Sequence, residues 1–408
     1  MIIGLFGGSF DPIHYGHLSI IDGALRSGFV DAVVVIPSVR NSFKRGKILS
    51  AAPYRYYMVK DTLEQQFKGK PVYISDIEFG IPGISYTVST IDELIHGGLE
   101  KLLVDNGIKA KKASEHHDLR WLCGSDILPT FDHWYKPEEI ITRAPLLVAK
   151  RPGENVDIDY EQERLSREFG FIARIESFDI KGVEASSSDI RSTKEYDRIP
   201  DVALEFIKTH NLYPANNPLD NVSDEAAEQF YQIAADLYPY LGQHRLLHTI
   251  NVALLACEYA NVHGANPDKA LIAGILHDCA KELPIEQQLQ MSRQRSGDTF
   301  VDKKLLHSPA GAIMARETFG INDEEILNAI TYHTTGRGGM TVLDKIVYLA
   351  DKLEPARIYT DLTEMRTLAW TDLDGAVRLC LGSVRGKFKS QGRDIHPLTL
   401  EFLQDLGI

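Results

Sequence analysis

Residues 2–18 read IIGLFGGSFDPIHYGHL, and the order of residue types in that stretch decides the fold of the first half. A short apolar β-branched run, residues 2–6, meets two glycines, and a helical pattern begins after His14. A strand that turns through glycine into a helix brings backbone N–H groups close to an anion, because no side chain stands in the way. Working outward, further short apolar runs occur at residues 32–36, 72–77, 121–123, 146–149 and 171–175, with helical stretches between them. Continuous apolar strands separated by helices imply a parallel sheet covered on both faces. Residues 214–224, PANNPLDNVSD, lack apolar periodicity and read as a linker. Beyond it strand signals stop. Residues 250–259, 270–276, 310–319 and 343–353 carry apolar residues at helical spacing. The expected organisation is therefore an α/β domain over 1–213, a linker over 214–224 and an all-α domain over 225–408.

The 408 residues are too many for one ordinary domain, and 44% hydrophobic with 25% charged is the composition of a globular chain. No apolar run reaches the roughly 18 residues of a membrane span, and the first residues lack the basic region of a secretory signal. Cys123, Cys257, Cys279 and Cys380 lie far apart, as expected of reduced thiols in a cytoplasmic protein. With 57 acidic against 44 basic residues the net charge is −13. Such a surface repels a phosphate backbone, which argues against nucleic-acid binding. His116 and His117, in a polar stretch before a strand, read as an exposed loop pair.

His14 and His17 stand one turn apart at a helix start. Both imidazoles can then face one anion beside the positive end of the helix dipole and donate to a phosphoryl group as charge builds. A bare H-x-x-H is most often a packed pair; the whole string after a strand is far harder to meet by chance. That string resembles the signature of the nucleotidyltransferase superfamily, and more closely bacterial nicotinate-nucleotide adenylyltransferase. The resemblance continues in ISYTV (84–88), GSD (124–126), FDHW (131–134), KPEEI (136–140) and SSSDIR (186–191). It implies a Rossmann-like domain that transfers adenylyl from ATP, with Mg2+, to nicotinate mononucleotide, giving deamido-NAD and pyrophosphate without a covalent enzyme intermediate. By the same resemblance His14, His17, Lys44 and Arg191 act on the phosphates. Gly7, Gly8, Ser9, Phe10, Thr87, Gly124, Asp126, Trp134, Ser187 and Ser188 would hold the nucleotides. Thr87 and Trp134 are assigned to the pyridine carboxylate and ring, and Asp126 to a ribose hydroxyl. Serines and N–H groups at the start of a short helix, with Arg191 nearby, suit such an anion. Ser42-Phe43-Lys44 departs from the usual Pro-His-Lys of these enzymes, which leaves nicotinate against nicotinamide mononucleotide open.

The second half holds RLLH (His248), HDCAKE (His277, Asp278, Lys281), HSPAG (His307), YHTTGR (His333, Arg337) and YLADKLEPAR (Asp351). Apart from the adjacent His277–Asp278 pair, the six candidate ligands follow one another at 18 to 30 residues. That is about one helix and its loop, so each helix of a bundle can send a ligand inward. Imidazole and carboxylate together suit Fe, Mn, Zn or a similar ion. Asp351 follows an apolar stripe, and a buried carboxylate without a cation is costly. The set resembles the HD-domain phosphohydrolases, most closely the YqeK-like symmetrical dinucleoside tetraphosphatases. The resemblance implies a helical bundle with two metal ions, iron foremost, bridged by Asp278. His248, His277 and Asp351 would hold one ion, His307 and His333 the other. It further implies hydrolysis of diadenosine tetraphosphate to two ADP, with Lys281 and Arg337 on substrate phosphates. Deoxynucleoside triphosphates, guanosine tetraphosphate and cyclic dinucleotides remain alternative substrates. So does a chain in which one domain only senses nucleotide, and self-association stays open.

Overall fold

The computed structural model describes the chain except residues 41–49, 152–155, 182–184 and 359–361 and the side chains of residues 110, 387 and 389. It divides into two compact units, Met1–Lys208 and Thr209–Ile408. Residues 214–224 pack within the second unit: Leu219 is buried, the Cys257 thiol donates to Pro218 O, and Ser223 Oγ donates to Asp268 at 2.7 Å.

In the first unit six strands form one sheet: β1 (Ile2–Gly8), β2 (Ala32–Pro37), β3 (Val72–Ile74), β4 (Asp118–Gly124), β5 (Leu146–Lys150) and β6 (Ile175–Asp179). Their order is β3-β2-β1-β4-β5-β6, and every neighbouring pair is parallel. Ile3, Leu5, Val34, Ile36, Trp121, Cys123, Leu146 and Val148 share one core cluster. The alternate residues Val33, Val35, Leu122 and Leu147 are equally buried. Because strand side chains alternate between faces, both faces of the sheet are covered, as the continuous apolar runs require. Strand order reverses between β1 and β4, so the crevice at their carboxyl ends is the expected ligand position. Gly7 sits there against the Trp121 ring; a Cβ on it would stand 2.7 Å from that ring.

The last strand differs from the sequence reading. Residues 171–175 were expected to be extended in the sheet, but β6 starts only at Ile175. Gly170, at φ +73°, closes the helix Ile158–Phe169. Residues 171–174 then carry the chain to the sheet edge, leaving Ile172 78% exposed. An apolar run without a neighbouring strand has no ladder to join.

Helices that carry site residues include α1 (Tyr15–Ser27), α2 (Ala52–Gln66) and α3 (Ser187–Thr193) in the first unit. In the second they are α4 (Gln243–His263), α5 (Pro267–Leu276), α6 (His307–Glu317), α7 (Glu324–Tyr332) and α8 (Val342–Leu353). Among the described residues the second unit has no strand. Local chemistry sets the ends of these helices. Asn266 caps α5 ahead of Pro267, Asp323 caps α7, and Thr341 and Asp344 form a capping box on α8. Residues 270–276 of α5 are all buried. The helix crosses α4 closely: a Cβ on Gly274 would lie 2.6 Å from Ala253 Cα. That close crossing brings His277, one residue past α5, beside His248 on α4; the ring centroids are 5.2 Å apart. Among the described residues no helix is long and apolar enough to cross a membrane.

Candidate active sites

At the carboxyl edge of β1, His14 is the N-cap of α1 and is buried. Its Nδ1 accepts from His17 N at 3.3 Å, and His17 Nδ1 accepts from His14 N at 3.3 Å. The two rings stack with centroids 3.7 Å apart. Since both Nδ1 atoms are acceptors, Nε2 carries the proton of each neutral ring, and that N–H can donate to an anion. Burial, aided by the Arg151 charge, lowers the His14 pKa to about 4, so this ring stays neutral near pH 7. No carboxylate lies in the first turn of α1, so no side chain there competes for the dipole's positive end. Phe10, almost fully buried, sets its edge on His17 at 4.9 Å.

The SSSDIR segment comes to the same loop. Ser187 Oγ donates to Pro12 O at 2.9 Å. Arg191 Nη1 donates to Asp11 O, and its Nη2 is 3.5 Å from Ser188 Oγ. Asp11, fully buried, lies 3.9 Å from Arg191 Nη1. Across the switch point, an added Cβ on Gly124 would meet the Asp126 carboxylate, with Arg151 Nη2 at 3.9 Å. Asp126 is exposed at the rim. Trp134 is half-buried against Phe131 and Trp121, at 5.5 and 6.4 Å. With Tyr86, Tyr135 and Lys136 it lines a cleft of about 560 Å³. Thr87 follows Tyr86 as the first residue of its helix. Lys44 lies outside the described residues.

Two arginines here were not singled out from sequence. Arg55, on α2 and 3% exposed, donates from Nη1 to Ser9 O at 2.9 Å and Ser38 O at 2.5 Å, and from Nε to Ser50 O at 2.9 Å. It thus holds the signature loop to both flanks of residues 41–49. Arg151 follows β5 directly, and that position at a strand's carboxyl end was the available signal for it.

The second cluster gathers all six expected ligands. His248, His277 and Asp351 form one group whose donor atoms lie within 4.8 Å of one another; His277, Asp278 and His333 form another. His307 Nε2 lies 3.1 Å from Asp278 Oδ1. Backbone carbonyls fix two of the imidazoles: His277 Nδ1 donates to Gly274 O and His333 Nδ1 to Ile330 O, both at 2.7 Å. Their Nε2 lone pairs therefore turn toward Asp278, at 3.6 and 3.4 Å, as a metal ligand requires. His277 Nε2 and Asp278 Oδ1 are buried without a hydrogen-bonding partner. His307 and His333 approach Asp278 Oδ1 closely but not in hydrogen-bond alignment. Orphaned donor atoms at the centre of an imidazole–carboxylate cage fit a divalent cation. Burial alone would raise the Asp278 and Asp351 carboxyls. Surrounding imidazoles, with Lys352 beside Asp351, outweigh it and hold both well below the usual range. Burial lowers His333 to about 4, leaving a neutral ring suited to ligation.

Besides Lys352, which lies 3.5 Å from Asp351 Oδ2, two arginines and a lysine among the described residues rim the cage. Arg245 Nη1 is 2.6 Å from Asp278 Oδ2. Arg357 Nη2 is 3.2 Å from both Asp351 Oδ1 and His248 Nε2. Lys281 Nζ is 3.0 Å from His307 Nε2, and burial lowers its pKa. The structure does not bring Arg337 to the ligands. Asp344 takes its Nη2 at 3.1 Å, and the guanidinium lies over the Tyr332 ring. Arg245 and Arg357, by contrast, contact the ligands themselves. Their signals were their places one turn before His248 and six residues after Asp351.

Residues 5–193 match the cytidylyltransferase-like family and residues 245–356 the HD domain. A symmetrical bis(5'-nucleosyl)-tetraphosphatase of Halalkalibacterium halodurans is 39% identical over 165 residues, 40% of this chain and 88% of that protein. A Clostridium novyi protein named "Probable nicotinate-nucleotide adenylyltransferase" is 31% identical over 218 residues, 52% of this chain and 98% of that one. The chain belongs to both families. A Mycoplasma pneumoniae protein named "Probable nicotinate-nucleotide adenylyltransferase/Ap4A hydrolase" joins the two in the same order. It is 26% identical over 392 residues, 95% of this chain and 100% of its own length. The adenylyltransferase-family half carries the His14–His17 site, and the tetraphosphatase-family half carries the six-ligand cage.

Proposed function

We propose that the chain is a bifunctional enzyme. Its first unit joins ATP to nicotinate mononucleotide, with Mg2+, and releases pyrophosphate. Its second hydrolyses diadenosine tetraphosphate to two ADP with two bound transition-metal ions, iron foremost. What carries the reading is a pair of sites, each within its own unit. One is an imidazole pair at a helix start beside a sheet's switch point; the other is an imidazole–carboxylate cage in which His277 Nε2 and Asp278 Oδ1 have no hydrogen-bonding partner.

In the first unit the 5′-phosphate of the mononucleotide attacks the α-phosphorus of ATP. His14 and His17 donate from Nε2 to the phosphates, and Arg191 and Lys44 offset the charge that moves to the leaving pyrophosphate. The aromatic cleft at Trp134 takes the pyridine ring. In the second unit His248, His277, Asp278, His307, His333 and Asp351 would hold the metals, which when bound would supply water activation and Lewis-acid stabilisation. Arg245, Arg357 and Lys281 bind and orient the polyphosphate, and the guanidinium planes suit phosphate geometry. Four unpaired, buried thiols suit a cytoplasmic setting.

Separate variants test the reading. His17→Ala removes one phosphate donor, and adenylyl transfer falls on the order of 100- to 1000-fold while tetraphosphate hydrolysis is kept. His277→Ala does the reverse. Equal loss of both activities in either folded variant would sink the independence of the sites. A panel of nucleotides on which diadenosine tetraphosphate is the poorest substrate would sink the hydrolase specificity.

A further inference from the structure

Behind the cage a chain of buried polar side chains leads away from the metal ligands. His248 Nδ1 donates to Glu354 Oε1 at 3.1 Å. Glu354 Oε2 accepts from Asn251 Nδ2 at 2.8 Å and from Ala356 N at 2.7 Å. The Asn251 amide meets His210 Nδ1, at 3.1 Å from Nδ2 and 3.3 Å from Oδ1. His248, Asn251 and Glu354 are each 2% exposed, so these bonds are not exchanged for water. Arg366 fixes the turn that carries Glu354, donating to Leu353 O, Glu354 O and Arg357 O at 2.7 to 3.0 Å.

The end of this chain is unusual in its place. His210 is the second residue after the division between the two units. It directly follows the helix Asp201–Thr209. The next residues include Asn211 at φ +48° and Tyr213 at φ +57°. Asn adopts that conformation readily, but a bulky residue such as Tyr213 holds it only where its surroundings impose it, so the segment follows a defined course.

We infer that the segment joining the two catalytic units is a working part of the hydrolase: His210, through Asn251 and Glu354, fixes the ring of the metal ligand His248. Glu354 and His210 are positioning residues. Glu354 accepts the Nδ1–H hydrogen bond, which holds the proton on Nδ1 and so keeps the Nε2 lone pair for the ion, and Asn251 holds the carboxylate in register. His210 holds the Asn251 amide. Without it that amide rotates, Glu354 loses one of its buried partners, and the His248 ring is less constrained. The inference rests on the metal-dependent reading of the second unit, and on none of its substrates.

Metal affinity of the full-length chain tests it. The metal-free protein is titrated with Mn2+ in competition with a chelating dye. Glu354→Gln weakens binding about 10- to 100-fold, the range for a ligand's hydrogen-bonded partner. His210→Ala weakens it in the same direction, by about threefold to tenfold, and His210→Gln, which can still bond the amide, restores it. The double variant is no weaker than Glu354→Gln alone, because His210 acts through that carboxylate. Adenylyl transfer is unchanged throughout. His263→Ala removes another half-buried histidine of the same unit, bonded to Ala369 O, and leaves Mn2+ affinity as it was. Wild-type affinity in His210→Ala or in Glu354→Gln overturns the inference while leaving the hydrolase reading intact. A wild-type chain that holds no Mn2+ overturns both.

Discussion

His14 gives the first unit a pH dependence. An unfolded chain protonates histidine near pH 6.5, whereas the buried His14, beside the Arg151 charge, protonates near 4. Its contribution to stability is complete above pH 6.5 and is lost as pH falls through the window from 6.5 to 4. His14→Asn therefore makes the first unit's melting temperature fall less steeply across that window, read by calorimetry at several pH values. In the second unit Arg245 makes a charge-assisted contact worth about 1.5–3 kcal/mol. Arg245→Gln lowers kcat/KM for tetraphosphate hydrolysis on the order of 10- to 100-fold and spares adenylyl transfer. The histidines of both sites were legible because imidazole is rare and their neighbours in sequence are distinctive. Arg55 was not, because a lone arginine on a helix looks the same whether it meets water or a buried carbonyl; Arg245 and Arg357 offered only their spacing from His248 and Asp351. For Arg337, nothing near it in sequence announces its ion pair with Asp344, a buried carboxylate.

Elements tell a different story. Apolar runs marked five strands of the parallel sheet and the main helices of the second unit, since burial on both faces leaves an unbroken hydrophobic signature. The sixth strand was displaced because side-chain type alone does not say where a partner strand begins. Helix crossings were equally silent. Gly274 looks like a weak point in α5, yet its missing side chain lets α5 press on Ala253 of α4. Gly274→Val drives the helices apart at a cost of about 1–3 kcal/mol and separates His248 from His277. The second unit should melt earlier and bind Mn2+ more weakly, while adenylyl transfer persists. Unaltered metal affinity in that variant would mean the crossing does not set the ligand geometry.

At the scale of the whole molecule, each unit has its own core, so their stabilities respond to different ligands. A metal held at a hundredfold above its dissociation constant adds about 2.7 kcal/mol. For a unit of this size, chelation should lower its melting temperature by about 5–10 °C. Calorimetry with and without a chelator should move the second unit's transition and leave the first in place. Movement of both by the same amount would contradict separate cores.

The packing of residues 209–224 also decides where the gene can be cut. Composition invites a break at codon 225, after the prolines and asparagines. A fragment opened there keeps the six metal-binding side chains but discards His210, the buried Leu219 and Ser223, whose Oγ caps the helix Asp224–Asp236. Opening the reading frame at codon 209 or earlier retains all three, so the shorter clone should be the one that precipitates.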